Sequence, residues 1–275
     1  MRALAHEVDL EIRLLLDAIY HRYQHDFRDY AVASLRRRLA QAVEHLGCLS
    51  VSGLQERVLH DPTAFPSVLQ YLTVPVSDMF RDPWYFRAVR EHVVPVLRTY
   101  PSIKLWIAGC GHGEEVYSFA IVLAEEGMLD RTLIYATDIN PAGLEAAQAG
   151  IYPLDRFRRF TENHRRAGGK SSLSAYYRAA YGSAAIDKRL KKRIVFSDHS
   201  LATDSAFGEV QFVSCRNVLI YFNRTLQDRA VGLFHDSLCR RGFLGLGAKE
   251  SLRFTAHAAA FAEVEHDARI YQRKA

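Results

Sequence analysis

Apolar residues recur at helical spacing through roughly the first 75 positions of the chain. Leu10, Leu14, Leu15 and Ile19 form one stripe, and Leu35, Leu39, Val43 and Leu46 form another. Asp61-Pro62 reads as a helix start with proline in the first turn, leading into Phe65, Val68, Leu69 and Leu72. Gly47 and Gly53 punctuate the connections, and no alternating strand pattern intervenes. Residues 1–72 are therefore predicted to form a small all-α domain.

The texture changes after Thr73. Trp84, Phe86, Val89, Val93 and Val96 predict one more helix, which Pro101 closes. Residues 104–108 form a short apolar strand that runs into Gly109-Cys-Gly-His-Gly113 and then a helical pattern over 116–126. Residues 132–137 read as a second strand ending at Asp138, and 142–149 as a helix. Strands at 193–196 and 209–214, a long helix over 225–239 and a strand at 243–247 follow. Residues 262–265 and 269–272 read as a terminal hairpin. This alternation predicts an α/β domain with a mostly parallel, doubly wound sheet, an antiparallel strand being allowed at its edge.

Composition narrows the classes. With 275 residues, 49% hydrophobic and 24% charged, the balance is globular, which removes disordered, collagen-like and low-complexity readings. No apolar run approaches the roughly 18–20 residues that cross a bilayer, and acids occupy the first residues where a secretory signal needs an apolar stretch. Cys48, Cys110, Cys215 and Cys239 have no paired spacing, so neither a disulfide framework nor a zinc ribbon is expected. The expectation is a cytoplasmic protein without a metal.

The net charge of +5 is unevenly placed. Residues 150–196 hold twelve Lys/Arg against Asp155, Glu162 and Asp187, so that segment is +9 and the remainder −4. Such a region suits nucleic acid or an acidic protein surface, and it equally suits a solvated surface segment.

The strand, glycine loop and helix carry the first chemical signal. Glycines let the backbone turn sharply and let a ligand approach where a Cβ would collide, although such a loop can be only a tight turn. Asp138 falls 25 residues past Gly113, at the end of the next strand, where an acid accepts hydrogen bonds from a ribose diol. The helix after the loop begins with Glu114 and Glu115, which would repel the pyrophosphate of NAD or FAD. A phosphate-free cofactor with a positive ammonium fits better, and S-adenosylmethionine is such a molecule. The same acids could simply complement the helix dipole. Cys215-Arg216-Asn217 places polar groups at the carboxyl edge of the sheet, where doubly wound folds bind ligands. Arg216 is equally open to a structural ion pair, and Tyr221 to a core position with its hydroxyl satisfied.

Together these segments resemble the CheR family, S-adenosylmethionine-dependent methyltransferases that esterify glutamates on bacterial chemoreceptors. The resemblance covers nearly the whole chain. Asp29-Tyr30 through Arg36-Arg-Arg38-Leu39 resembles the family's helical domain, Leu72-Thr73 to Arg81-Asp82 its linker, and Gly113-Glu-Glu115 with Tyr117-Ser118 its cofactor loop. Ala136-Thr-Asp138-Ile, Ala149-Gly-Ile-Tyr152, Cys215-Arg-Asn-Val-Leu-Ile-Tyr-Phe222 and Gly247-Ala-Lys-Glu250-Ser also fit. The resemblance implies a small N-terminal all-α domain (1–72), a linker contributing to the active site (73–87) and a Rossmann-like class I methyltransferase domain (88–275). A small β-subdomain would be inserted at about 153–193 of the latter.

Residue by residue, the resemblance implies that Ser77 and Arg81 contact cofactor or substrate from the linker, and that Gly109 lies in the cofactor loop. Glu115 would hold the methionine ammonium and Asp138 the ribose. Ser200 and Leu201 would border the adenine, and Arg216 with Asn217 would close the site. Arg81 and Tyr221 would orient groups near the transferred methyl, leaving S-adenosylhomocysteine as product. Pro75, Ser77, Met79 and Ser200 stand where the family usually has Asn, Thr, Phe and Asn, and Cys110 and His112 alter its small-residue loop.

No general base is needed, because a glutamate with a pKa of about 4.3 is already ionised near neutrality. The implied partner is a chemoreceptor's cytoplasmic methylation helices or a similar acidic signalling protein, with no nucleic acid and no membrane insertion, the chain acting as a monomer. Arg36, Arg37 and Arg38 lie on the helix that faces those methylation helices in the family. The short segment after Tyr176-Tyr177 suggests docking without a tether peptide. Two other classes compete: a weakly active cofactor-binding adaptor, motivated by Pro75, Ser77 and Ser200, and a nucleic-acid methyltransferase, motivated by the +9 segment. The latter lacks the Asn/Asp-Pro-Pro-aromatic motif usual in amino-methylating enzymes.

Overall fold

Leucine-rich helix faces and continuous apolar strands build two separate cores. The computed structural model describes residues 2–275, with side chains from Glu7 onward. Of the described residues, those up to 74 with 200–204 and 220–230 form one compact unit, and 75–199, 205–219 and 231–275 the other.

The first unit contains α1 (Arg2–Tyr23), α2 (Val32–His45), α3 (Val51–His60) and α4 (Ala64–Leu72). Helix α1 packs on α3, and α2 on α4. The buried face of α1 is Ile12, Leu15, Leu16 and Ile19, whereas Leu10 and Leu14 are 52% and 47% exposed. Leu10 and Leu14 therefore fall outside the stripe expected of them, because the i, i+3, i+4, i+7 row that meets α3 starts at Ile12. Helix α4 begins two residues later than Pro62, after Asp61 Oδ1 has accepted hydrogen bonds from the Thr63 N–H and hydroxyl. Residues 220–230 join this unit through the backbone: the Ala31 N–H donates to the Tyr221 carbonyl, the Asn223 N–H to the Asp29 carbonyl, and Tyr30 bridges Phe222.

In the second unit, α5 (Pro83–Ala88) passes through a π turn (Val89–Val93) into α6 (Val94–Leu97). The strands are β1 (Ile103–Ala108), β2 (Thr132–Asp138), β3 (Ile151–Pro153), β4 (Tyr177–Ala180), β5 (Ser183–Ile186), β6 (Ile194–Asp198), β7 (Val210–Cys215), β8 (Leu238–Leu246), β9 (Phe261–Glu265) and β10 (Ile270–Arg273). The remaining helices are α7 (Glu114–Glu125), α8 (Pro141–Ala149), α9 (Phe157–Arg166), α10 (Lys188–Lys191) and α11 (Arg224–Ser237), the last running across both units.

Seven strands order as β6-β2-β1-β7-β8-β10-β9. Pairings from β6 through β8 are parallel, and β10 is antiparallel to both of its neighbours, β8 and β9. Strands β1 and β7 are nearly continuous in burial, as strands covered on both faces must be. Helix α7 covers one face, with Phe119 5.4 Å from Phe212. This is the α/β arrangement that the alternation predicts, with refinements toward its carboxyl-terminal end: the helix expected over 225–239 gives way to β8 at Leu238, five residues before the strand expected at 243–247. The antiparallel strand sits second from the edge, because β10 buries Ile270 and Tyr271 against β8 while the more polar β9, with Ala262 and Glu263 exposed, takes the outside. A second, antiparallel sheet, β3-β5-β4, lies with α9, which turns Phe157, Phe160 and His164 inward.

Candidate cofactor site

Because β1 pairs in parallel with both β2 and β7, the carboxyl ends of these three strands deliver their polar residues to one place. Strand β1 leads into the glycine loop, where Gly109, Gly111 and Gly113 take φ of +71°, +53° and +88°. These left-handed values favour glycine. A Cβ on Gly109 would collide with Val218 Cγ2, and one on Gly111 would lie 3.2 Å from the Pro75 carbonyl oxygen. The glycines are thus demanded by backbone conformation and by the protein's own packing, not only by a ligand's approach.

At the end of β2, Asp138 is half-buried and held by two backbone donors. Its Oδ2 accepts from the Gly111 N–H at 2.8 Å and its Oδ1 from the Asn140 N–H at 2.9 Å. Burial pushes its pKa up, against the pull of those donors. A carboxylate offers about four acceptor sites, so with the Gly111, Asn140 and Ile139 N–H groups acting on it Asp138 can still accept from a further donor.

The two acids that open α7 go separate ways. Glu115 Oε1 accepts from the Ser214 hydroxyl at 2.7 Å, and its Oε2 from Arg216 at 2.8 Å. The Arg216 guanidinium also donates to Asp82 at 2.7 Å and to the Arg81 carbonyl at 3.0 Å. It lies 4.0 Å over the Tyr85 ring, with only 1% of its side chain exposed. Tyr85 in turn shares a hydrogen bond with Ser214 at 2.8 Å, and its burial pushes the phenol pKa up. One cation among two carboxylates leaves this cluster at −1. Glu114 instead accepts from Arg156 at 2.8 Å, and its second oxygen is buried with no hydrogen-bond partner among the described residues. Burial raises the Glu114 pKa, with Arg156 opposing.

Arg156 also donates to the Ser77 carbonyl and, at 3.3 Å, to Asp78. Ser118 Oγ accepts from the Phe80 N–H at 2.8 Å. Phe80 and Asp82 both sit at positive φ (+52° and +57°), a strained conformation for side chains of this size. Asn217, at φ +63°, donates its N–H to Glu250 at 3.0 Å.

A model of the CheR methyltransferase SAM binding domain matches residues 75–270, and one of the CheR methyltransferase all-alpha domain matches residues 10–73. The chain belongs to the CheR methyltransferase family. It is 60% identical over 265 residues, 96% of this chain and 97% of the other, to the protein of Pseudomonas putida named "Putative methyltransferase Cher3". The "Chemotaxis protein methyltransferase" of Vibrio anguillarum is 30% identical, covering 82% of each chain. "Chemotaxis protein methyltransferase 1" of Pseudomonas aeruginosa is 29% identical, covering 82% of this chain and 83% of the other. The solved magnesium protoporphyrin IX methyltransferase ChlM of Synechocystis aligns over 70% of this chain and 81% of that one at 18% identity and TM-score 0.38, too loosely to add to the family match.

As a CheR methyltransferase the chain uses S-adenosylmethionine. The donor set suits that molecule. The cluster at the start of α7 has the sign that suits a cationic ammonium, and the backbone-held carboxylate at the end of β2 has the chemistry to accept from a hydroxyl.

Of the expected site residues, Ser77, Arg81, Gly109, Glu115, Asp138, Arg216 and Asn217 lie in the second unit, and Ser200, Leu201 and Tyr221 in the first. Ser200 Oγ accepts from the Ala202 N–H at 3.3 Å, Leu201 is buried, and the Arg38 guanidinium lies 4.8 Å over the Tyr221 ring. Arg38 is buried, bonding Ser34 and the Leu72 carbonyl, and Arg36 is paired with Asp9 at 2.6 Å. Of the three arginines expected to face a partner, Arg37 and the paired Arg36 are exposed, while Arg38 holds α2 to the end of α4. Ser214, Asp82, Tyr85 and Arg156 were not legible as site residues. The first two adjoin the Cys215-Arg216 and Arg81 motifs, which is a usable signal. Arg156 lies 79 residues from Ser77 and carries none.

Proposed function

We propose that this chain transfers the methyl group of S-adenosylmethionine to glutamate side-chain carboxylates of chemoreceptor-like signalling proteins, giving glutamyl methyl esters. Family membership supports the reading, and the observation that carries it is the −1 cluster of Glu115, Arg216 and Asp82 beside the backbone-held Asp138. When bound, S-adenosylmethionine would supply an electrophilic methyl for the acceptor carboxylate, the C–S electron pair remaining on sulfur. Glu115 would hold its ammonium and Asp138 its ribose. Ser77, Gly109 and Asn217 complete the cradle from the linker, the loop and the end of β7. Arg216 fixes Glu115 and, through its bond to the Arg81 carbonyl, the linker that carries Arg81. Arg81 would orient the incoming carboxylate. Since that carboxylate is ionised near neutrality, no side chain must remove a proton, and alignment is the chain's main contribution, up to ~7–11 kcal/mol.

The test is methyl transfer from labelled cofactor to the cytoplasmic fragment of a chemoreceptor, followed by alkali. Label released as volatile methanol is the expected result, because esters hydrolyse in base. Label that survives alkali would overturn glutamate esterification. A second reading, a cofactor-binding adaptor, rests on Arg216 already neutralising part of Glu115's charge. Binding of S-adenosylhomocysteine without any transfer would favour it.

A further inference from the structure

Beside the linker lies an open cavity of ≈ 770 Å³, wholly within the second unit, whose rim carries Arg81, Arg158, Arg159 and Arg166. Arg81 and Arg158 make no side-chain hydrogen bond or ion pair with any described residue, Arg166 makes none but lies near enough to Glu162 to act on it through space, and Arg159 is paired with Asp78 at 2.9 Å. The acids of the rim are mostly committed elsewhere. Asp82 is bonded by Arg216 and Glu162 by Arg165, so only Asp155 is left without a cationic partner. Helix α9 turns Phe157, Phe160 and His164 inward, which drives Arg158, Arg159, Glu162 and Arg166 to the outer face. Trp84, 46% exposed, adds an apolar platform to the same cavity.

We infer that this cavity is a docking site for an acidic helical segment of the methyl-accepting protein, Arg158 and Arg166 taking carboxylates that flank the one being methylated. The inference rests on the function proposed above and adds the surface that selects the substrate. Arg158 and Arg166 are eight residues apart on α9, about 12 Å at 1.5 Å per residue, close to the separation of carboxylates two turns apart on a partner helix. Their guanidiniums suit bidentate carboxylate pairing. Arg81, on the same rim, ties the surface to the linker. The acids interspersed along the rim disfavour a nucleic-acid backbone, which presents one charge every ~1.7 Å of duplex, but leave room for a peptide whose charges are spaced. Trp84 offers that peptide's apolar side chains a surface to cover.

The probe is a synthetic helix-forming peptide with glutamates two turns apart, compared with its glutamine counterpart and with a single-stranded oligonucleotide. Anisotropy with the full chain should show binding of the glutamate peptide only, weakened about tenfold or more in an Arg158→Glu, Arg166→Glu double variant. Calorimetry with S-adenosylhomocysteine should be unchanged in that variant, which also establishes that it is folded. In methyl transfer to a chemoreceptor fragment, the double variant should raise KM and leave kcat alone. Equal peptide binding by wild type and variant, no peptide binding at all, or tighter oligonucleotide binding that the variant abolishes would each overturn the proposal. Methyl transfer with an unaltered KM would sink this docking site and leave the proposed reaction standing. Variant-sensitive peptide binding without any transfer would do the reverse.

Discussion

Arg156 and Glu114 meet at 2.8 Å, and the same guanidinium ties the start of α9 to both the first residue of α7 and the segment that carries Ser77. Glu114 opens α7, Arg156 lies just ahead of α9, and the same guanidinium bonds the Ser77 carbonyl. Arg156→Ala strands a buried carboxylate and should cost about 3 kcal/mol at pH 8. The Glu114 pKa is already raised by burial, so acidification protonates a group that then needs no cation. The penalty should therefore shrink at pH 5. Urea unfolding of wild type and variant at the two pH values checks this; equal losses would place the cost in the Ser77 contact instead.

Asp138→Ala should lower affinity for S-adenosylhomocysteine at least about tenfold, since a hydrogen bond to a charged acceptor is worth ~1.5–3 kcal/mol. Glu115→Gln should cost about tenfold, since it removes one charge of a cluster that remains hydrogen-bonded. Isothermal titration reads both. Wild-type affinity in Asp138→Ala would exclude this carboxylate from the cofactor site.

Gly109→Ala combines a left-handed φ with a collision against Val218. The expected destabilisation is about 2 kcal/mol or more. Adding Val218→Ala should recover the steric share and leave the conformational share of ~1 kcal/mol. Thermal unfolding of the single and double variants separates the two, and no recovery would mean that conformation alone sets the cost.

Glu125, at the end of α7, is buried with Arg90 and His164 and accepts from Ser171 as well. Burial works to raise its pKa, but the hydrogen bonds from His164 and Arg90 win and hold it at about 2 against an ordinary 4.5. A carboxyl depressed in the folded state contributes stability that is fully present above pH 4.5 and is lost as pH falls toward 2. Its share is of the order of 3 kcal/mol. Denaturant midpoints should fall steeply between pH 4.5 and 2 in wild type and more shallowly in Glu125→Gln. Parallel slopes would show that other groups govern acid unfolding.

Much of the framework is legible in one dimension. Strand β1, the glycine loop and α7 follow from an apolar run, three glycines and a helical pattern, and Asp138 falls at the end of β2 because the strand pattern stops there. The hairpin of β9 and β10 is equally visible, but which of its strands lies inward is not: that depends on whether Ile270 and Tyr271 or the residues of β9 better fill the space beside β8.

The sequence by itself determined the two kinds of domain, the parallel sheet and the positions of its chemistry-bearing turns, because periodicity and turn residues act locally. Only the tertiary structure decided where the charges go. Glu114 and Glu115 are neighbours of identical chemistry, yet one meets Arg156 and the other Arg216. Arg36, Arg37 and Arg38 are consecutive, yet Arg38 is buried against Tyr221 while Arg37 is exposed. An ionisable side chain can stay in water or, where packing supplies an opposite charge, enter a buried pair, so its partner is chosen by packing between distant segments and leaves no periodic trace.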